Sequence, residues 1–203
     1  MKLYGATASP FFRKCRIALE EKGIPYEIEP LIPVPKTPEL LALHPMGKIP
    51  ILRDGARVVP DSSVICAYLE RLHPSPALYP QDAGELATVL FLEEYADTRM
   101  MEVIGPIVFE TFIRPQILRE PGDPARAAEF RAKLPAVYDY LESQLPADRD
   151  TVLPRFGIAD AAIGAQLSSL SFIGEETDAA RWPRTASYRR ALEARPSFKT
   201  ATA

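Results

Sequence analysis

The sequence predicts an α/β domain followed by an all-α domain, and three observations carry that expectation. Short apolar runs alternate with helical periods as far as residue 72, a proline-rich polar stretch interrupts the chain at His73–Asp82, and beyond it only helical periodicity recurs. The length of 203 residues accommodates one large domain or two small ones. The expected division is a first domain over 1–74, a linker over 75–82 and a helical domain over 83–203.

The elements follow in order. Lys2-Leu3-Tyr4 reads as a short strand. Pro10 to Lys22 reads as a helix with an apolar stripe of Phe11, Cys15, Ala18 and Leu19, closed by Gly23 with Pro25 two residues on. Tyr26 to Leu31 looks like a second strand and Thr37 to Leu43 a short helix. Ile49 to Leu52 and Arg57 to Val59 flank Asp54-Gly55, a hairpin signal, and Asp61 opens a helix to about Leu72. In the second domain one long helix is expected from Ala83 to about Phe109. Another runs from Pro124 to Leu145, with Phe130, Leu134, Val137 and Leu141 on one face, and a third from Ile158 to Leu170.

Composition excludes more than it suggests. With 47% hydrophobic and 25% charged residues the chain lies in the ordinary globular range, which removes disordered and fibrous readings. A formal net charge of -3 gives no electrostatic footprint for nucleic acid or an anionic membrane. No apolar run has the length of a signal peptide's core or a membrane span, so a cytoplasmic protein is expected. Two cysteines, Cys15 and Cys66, build neither a disulfide framework nor a zinc cage, and no metal is expected. The anomaly is 21 prolines against 10 glycines, spread as boundary marks.

Three places in the first domain carry candidate chemistry. Ser9-Pro10 follows the first strand and opens the first helix. As an N-cap and a first-turn proline the pair is a sufficient helix start. Two details point further. Arg13, Lys14 and Arg16 crowd the opening turns, where the helix dipole favours acidic residues, an arrangement that would welcome an anion. Ser9-Pro-Phe-Phe12 also occupies the strand-to-helix position where thioredoxin-like oxidoreductases carry Cys-Pro-x-Cys, with both sulfurs replaced, so dithiol chemistry is lost there. The second place is Lys48-Ile49-Pro50. Its proline suits either an edge strand or a cis peptide that turns the Ile49 backbone toward an extended ligand. The third is Pro60-Asp61-Ser62-Ser63, a helix start whose hydroxyl and free N–H groups suit a carboxylate while Asp61 suits an ammonium. Together these two groups fit a zwitterionic amino-acid headgroup. The only histidines, His44 and His73, are each followed by proline and read as structural.

The ordered series Tyr4-Gly5-x3-Ser9-Pro10, Arg16-Ile17-Ala18-Leu19-Glu20-Glu21-Lys22-Gly23, His44-Pro45-Met46-Gly47-Lys48-Ile49-Pro50 and Asp61-Ser62-Ser63-Val64-Ile65 resembles the N-terminal domain of cytosolic glutathione transferases of the serine type, bacterial and phi-like. Weaker likeness continues through Glu94-Tyr95-Ala96-Asp97, Phe156-Gly157-Ile158-Ala159-Asp160 and Ala194-Arg195-Pro196-Ser197-Phe198. The resemblance implies a thioredoxin-like domain followed by a helical bundle domain, with glutathione as co-substrate in the first and a small-molecule electrophile in the cleft between them. It implies Ser9 as the catalytic residue and Pro50 as the family's cis-proline, with Ile49 pairing its backbone with the cysteinyl part. Asp61 and Ser62 would hold the γ-glutamyl ammonium and carboxylate, and Lys36 and Lys48 the glycyl end. Phe11 and Phe12, with Tyr95, Arg99 and Met100 of the long helix, are the candidates for the electrophile's walls, and a homodimer is implied. Gly157 stands where the family's helix-opening motif has Ser or Thr, while Asp160 is retained. A glutathione-dependent lyase or isomerase would use the same bound thiolate, and a non-catalytic binding protein of this fold is the alternative of a different class. A reductase forming mixed disulfides would need a reactive thiol, whereas Cys15 lies on the first helix's apolar stripe and reads as a core residue.

Overall fold

A computed structural model describes the chain from Met1 to Ala203. The chain divides into two compact units, Met1–Tyr79 with Pro196–Ala203, and Pro80–Arg195. The last eight residues therefore return to the first unit, where sequence reading extended the helical domain to 203. The reason is a helix, Pro196–Thr202, that packs on the first helix and buries Phe198 and Ala201.

The first unit is built on a mixed four-stranded sheet. Strands β1 (Lys2–Gly5), β2 (Glu27–Pro30), β3 (Ile51–Asp54) and β4 (Arg57–Pro60) lie in the order β2-β1-β3-β4. β1 pairs parallel with β2 and antiparallel with β3, and β3 and β4 form the hairpin around Gly55, whose φ of 56° supplies the left-handed turn. Two helices connect them, α1 (Pro10–Glu21) between β1 and β2 and α2 (Pro38–Leu43) between β2 and β3, and α3 (Ser62–Leu72) follows β4. Each begins on a polar cap, as expected at Ser9 and Asp61, whereas Thr37 is the cap rather than the expected first residue of its helix. The Ser9 and Thr37 hydroxyls accept from Phe12 and Leu40 N–H, and Asp61 caps α3. Leu3, Ile51 and Leu52 of the central strands and Ile17, Leu19, Ile65 and Leu69 of α1 and α3 form the core. Three X-Pro bonds are cis: Val34–Pro35, Ile49–Pro50 and Ser75–Pro76.

Burial around α1 departs from the expected single stripe. Every residue from Phe12 to Leu19 is buried, Arg13, Lys14 and Arg16 included, while Phe11 is only half-buried. α1 is covered by both α3 and the C-terminal helix, so its charged positions must find partners inside the fold.

In the second unit a single helical path runs from Ala83 to Leu118, nine residues beyond the expected end. It comprises α4 (Ala83–Tyr95), a π-helical segment (Ala96–Met100), α5 (Met101–Val108) and a second π segment (Phe109–Leu118). Pro106 and Pro115 lie inside this path, where each withholds a backbone donor. The path ends at Arg119, in the left-handed region at φ 59°. The expected helix over 124–145 is two: α6 (Pro124–Arg131) and α7 (Leu134–Gln144). Pro135 explains the break, because it has no N–H for the carbonyl of Arg131. Leu134, Val137 and Leu141 are buried as expected, but Phe130 is not, and carries the Lys133 ammonium 4.0 Å from its ring centre.

Helix α8 (Ile158–Ser171) is buried at all positions through Leu170, and its small residues Ala161, Ala162, Gly164 and Ala165 let α4 and α5 approach closely. α9 (Pro183–Ala194) and then α10 (Pro196–Thr202) complete the chain. No helix is long and apolar enough to cross a membrane, and no group of three or more His, Cys, Asp or Glu residues is arranged to hold a metal ion. One turn is under tight steric control. A Cβ on Gly122 would lie 1.9 Å from the Glu110 carbonyl oxygen, while the Glu110 carboxylate accepts the Asp123 N–H. Gly122→Ala is therefore expected to cost about 1–3 kcal/mol by forcing the backbone apart, read as a lower denaturation midpoint at unchanged slope. An unchanged midpoint would contradict it.

Candidate functional site

The sheet register brings the three expected segments to one place. Tyr4 is opposite Ile51 and Ile51 is opposite Pro60, so the chain leaving β1, the chain entering β3 and the chain leaving β4 all lie at the carboxyl end of β1. Gly5 is level with Pro30, and the Leu31 N–H donates to the Gly5 carbonyl at 3.0 Å, so the segment toward Lys36 departs from the same end. Ser9, Lys36, Lys48–Pro50 and Asp61–Ser62 are thereby gathered at one sheet end from positions up to 53 apart in sequence. Helices α1 and α3 lie side by side behind them: Lys14 Nζ donates to Ser63 Oγ at 2.9 Å and Cys15 Sγ approaches the Ser62 carbonyl at 3.7 Å.

Ser9 is the N-cap of α1, and its Oγ accepts the Phe12 N–H at 3.4 Å. Accepting there leaves the hydroxyl proton available for donation elsewhere. The Ile49–Pro50 bond is cis and Ile49 is half-exposed. Ile49 lies outside the β1–β3 ladder, which ends at Ile51, so its N–H and C=O are not spent on the sheet. Asp61 has φ 75° and ψ 137°, a conformation strained for a residue with a side chain. Its Oδ1 accepts the Ser63 and Val64 N–H groups at 3.0 and 3.4 Å, leaving Oδ2 for another donor.

Several expectations are corrected here. The α3 terminus does not offer a set of free N–H groups, because Asp61 Oδ1 takes two of them; what remains is the Ser62 N–H with its nearby hydroxyl. The basic cluster of α1 is not an open anion site. Arg13 Nη1 donates to the Thr7 carbonyl at 2.6 Å and Lys14 to Ser63. Arg16 reaches Tyr26 Oη at 3.2 Å and the Ala201 carbonyl at 3.1 Å. Burial lowers the Arg13 guanidinium to about 9, so it stays charged at neutral pH. Phe12 is no wall for a second substrate: it is fully buried, with its ring so close that a Cβ on Gly5 would lie 2.3 Å from Cδ2. Phe11 keeps partial exposure. Met100 is likewise fully buried in the core of the second unit, whereas Arg99 is exposed and paired with Glu102 at 3.1 Å. Tyr95 is half-buried against Tyr140, with ring centres 4.3 Å apart.

His44, expected to be structural, is buried within the turn before β3. It is 2% exposed, its Nδ1 accepts the Met46 N–H at 3.3 Å, and its carbonyl accepts the Gly47 N–H at 2.7 Å. Lys36 Nζ donates to the Met46 carbonyl at 3.1 Å, and Gly47, at φ 59°, closes the turn. Lys48, next along, is exposed. The signal was present as His-Pro-x-Gly before a strand, a turn signature whose ring contact sequence alone does not specify. The thiols Cys15 and Cys66 are both fully buried.

A thioredoxin-like sheet with a hydroxyl-capped first helix, followed by an all-helical unit, defines the class. The first unit matches the family model described as glutathione S-transferase, N-terminal domain, over residues 3–77. A probable glutathione S-transferase of Oryza sativa subsp. japonica is 31% identical over 200 residues, covering 97% of this chain and 93% of the relative. A glutathione S-transferase from Rhodospirillum rubrum F11 superposes with a TM-score of 0.90 at 26% identity, over 98% of this chain and 90% of that one. A glutathione S-transferase-I bound with lactoylglutathione gives 0.86 at 28% identity, over 99% and 97%. The chain belongs to the glutathione S-transferase family.

Proposed function

We propose that this protein binds glutathione at the carboxyl end of β1 and transfers it, as a thiolate stabilised by Ser9, to small hydrophobic electrophiles. The observation that carries the reading is the cap geometry of Ser9: a hydroxyl fixed at the N-terminus of a twelve-residue helix, with its acceptor side occupied by Phe12 and its proton free. The lactoylglutathione held by the related glutathione S-transferase-I supports the ligand class. Ile49 offers an unspent peptide unit to the cysteinyl segment. Asp61 Oδ2 suits the γ-glutamyl ammonium, and Ser62 the adjoining carboxylate. Lys48 and Lys36 supply positive charge for the glycyl carboxylate, and Pro50 shapes the backbone between them.

A thiol of pKa about 8.5 is only about 3% ionised at pH 7. Lowering it by about two units requires about 2.7 kcal/mol of preference for the anion. A charge-assisted hydrogen bond from Ser9 contributes about 1.5–3 kcal/mol and the helix N-terminus a few tenths more. Ser9 thus acts as a donor and needs no general base. The thiolate attacks the electrophilic carbon, the C–S bond forms, and the leaving group departs with the bonding pair. Phe11 offers the second substrate a partly exposed apolar surface beside this thiol position. A homodimer in the cytoplasm completes the reading.

Ser9→Ala is expected to lower kcat/KM for conjugation of a model aryl halide about 10- to 100-fold. The glutathione Kd, by calorimetry, should stay within about threefold, and the kinetic pKa of the bound thiol should rise. Unchanged turnover would overturn the role of Ser9, and absence of glutathione binding by the unmodified protein would overturn the whole reading.

A further inference from the structure

The turn that carries Lys48 and Ile49 depends on one ionisable ring. His44 begins where α2 ends: its N–H donates to the Leu40 carbonyl at 2.8 Å, its carbonyl accepts from Gly47, and its Nδ1 accepts from Met46. Accepting at Nδ1 places the ring proton on Nε2, so this contact exists only with a neutral imidazole. A second proton at Nδ1 would set one donor against another inside a site that is 2% exposed.

The charges facing the ring are few. Asp61, at the start of α3, favours the protonated form; Lys48, on the ring's own turn, disfavours it, and Lys36 anchors at the Met46 carbonyl beside it. Burial is the larger influence and holds His44 below its ordinary value, so the ring is neutral at pH 7 and the turn is closed. An imidazolium formed at lower pH would oppose Met46 N–H and would compete for the negative charge of Asp61.

We propose that His44 is a positioning residue whose neutral ring holds the His44–Lys48 turn in the shape that presents Ile49 to glutathione, so that glutathione affinity weakens as the ring takes up a proton. The inference rests on the glutathione reading of the site. Both consequences of protonation act in one direction. The turn loses the Met46 bond, and Asp61 is diverted from the γ-glutamyl ammonium.

Calorimetric titration with reduced glutathione between pH 7.5 and 5 tests the proposal, with His44→Asn as the decisive variant. The asparagine carbonyl can accept the N–H two residues on without titrating. For the unmodified protein the Kd should rise about three- to tenfold toward pH 5. His44→Asn should match it at pH 7.5 and lack most of that rise, His44→Leu should bind weakly throughout, and His73→Asn should retain the unmodified profile. The Met46 amide resonance of the unmodified protein should titrate with the same midpoint as the Kd, a readout that needs no variant. A flat Kd, an equal slope in His44→Asn, or a Met46 amide indifferent to pH would overturn the proposal while leaving glutathione binding intact. Failure to bind glutathione at pH 7.5 would remove the site reading itself, and the proposal with it.

Discussion

Replacing Asp160 by alanine should lower the melting temperature by about 8–15 °C, corresponding to about 3–5 kcal/mol. The carboxylate is 1% exposed and serves three donors: Oδ1 accepts from the Val152 N–H and from Tyr188 Oη, both at 2.9 Å, and Oδ2 accepts from the Gly157 N–H at 2.9 Å. It therefore ties the loop before α8, the first residue of that helix's cap and α9 into one knot. Gly157 has no hydroxyl to return a cap bond, so this N-terminus depends on Asp160 more than a reciprocal capping box would. Removal leaves three polar groups without an acceptor in a buried site. A loss below about 1 kcal/mol would show that water replaces the carboxylate.

The same residue gives stability a defined pH dependence. Burial raises the Asp160 carboxyl to about 6, with hydrogen bonds from Val152, Gly157 and Tyr188 and the charge of Arg195 opposing. An unfolded aspartate ionises near 3.9, so between these values the folded state holds a proton that the unfolded state has released. Its contribution is then fully present below about pH 4 and is lost as pH rises through about 6. Asp160→Asn does not titrate. The stability advantage of the unmodified protein over Asp160→Asn should therefore grow by up to about 3 kcal/mol as pH falls from 7 to 4, measured by denaturant titration. A constant difference would place the carboxyl in its ordinary range.

Lys22→Met should be comparably damaging, by about 3–5 kcal/mol. Its Nζ is buried and meets Glu70 Oε2 at 2.6 Å, the His73 carbonyl at 2.7 Å and the Pro76 carbonyl at 2.8 Å. Glu70 also accepts the Leu78 N–H at 3.1 Å. One ammonium thus clamps the end of α1 to the end of α3 and to the proline-rich segment that follows. Methionine fills the stem but satisfies none of these acceptors, and Glu70 keeps a charge that has lost its partner. Limited proteolysis should begin within 73–79 in the variant, and retention of the native cleavage pattern would count against the clamp.

Caps and punctuation explain how much of this was legible beforehand. Ser9, Thr37 and Asp61 act through bonds to residues two or three positions ahead, and the Asp54-Gly55 hairpin is equally local, so each was readable from its neighbours. Pro135 was readable too, yet the continuous apolar face of Leu134, Val137 and Leu141 masked the break between α6 and α7. Phe11 and Phe12 illustrate the opposite limit. Both are apolar on the same helix, and only the approach of Gly5 to one ring decides which is core.

Local chemistry in the sequence determined the element order as far as α3, the caps at Ser9 and Asp61, the segments of the candidate site and, through their ordered motifs, the family. Tertiary structure alone decided that the register Tyr4–Ile51–Pro60 brings those segments to one end of the sheet, and that the α1 cations turn inward to Thr7, Ser63, Tyr26 and Ala201. It also decided that the final helix rejoins the first unit and that His44 and Lys22 become hubs. The physical reason is range. A cap or turn is satisfied within three or four residues, whereas a buried charge or ring must be satisfied by whatever the fold brings to it, and those partners lie up to 187 positions away in sequence.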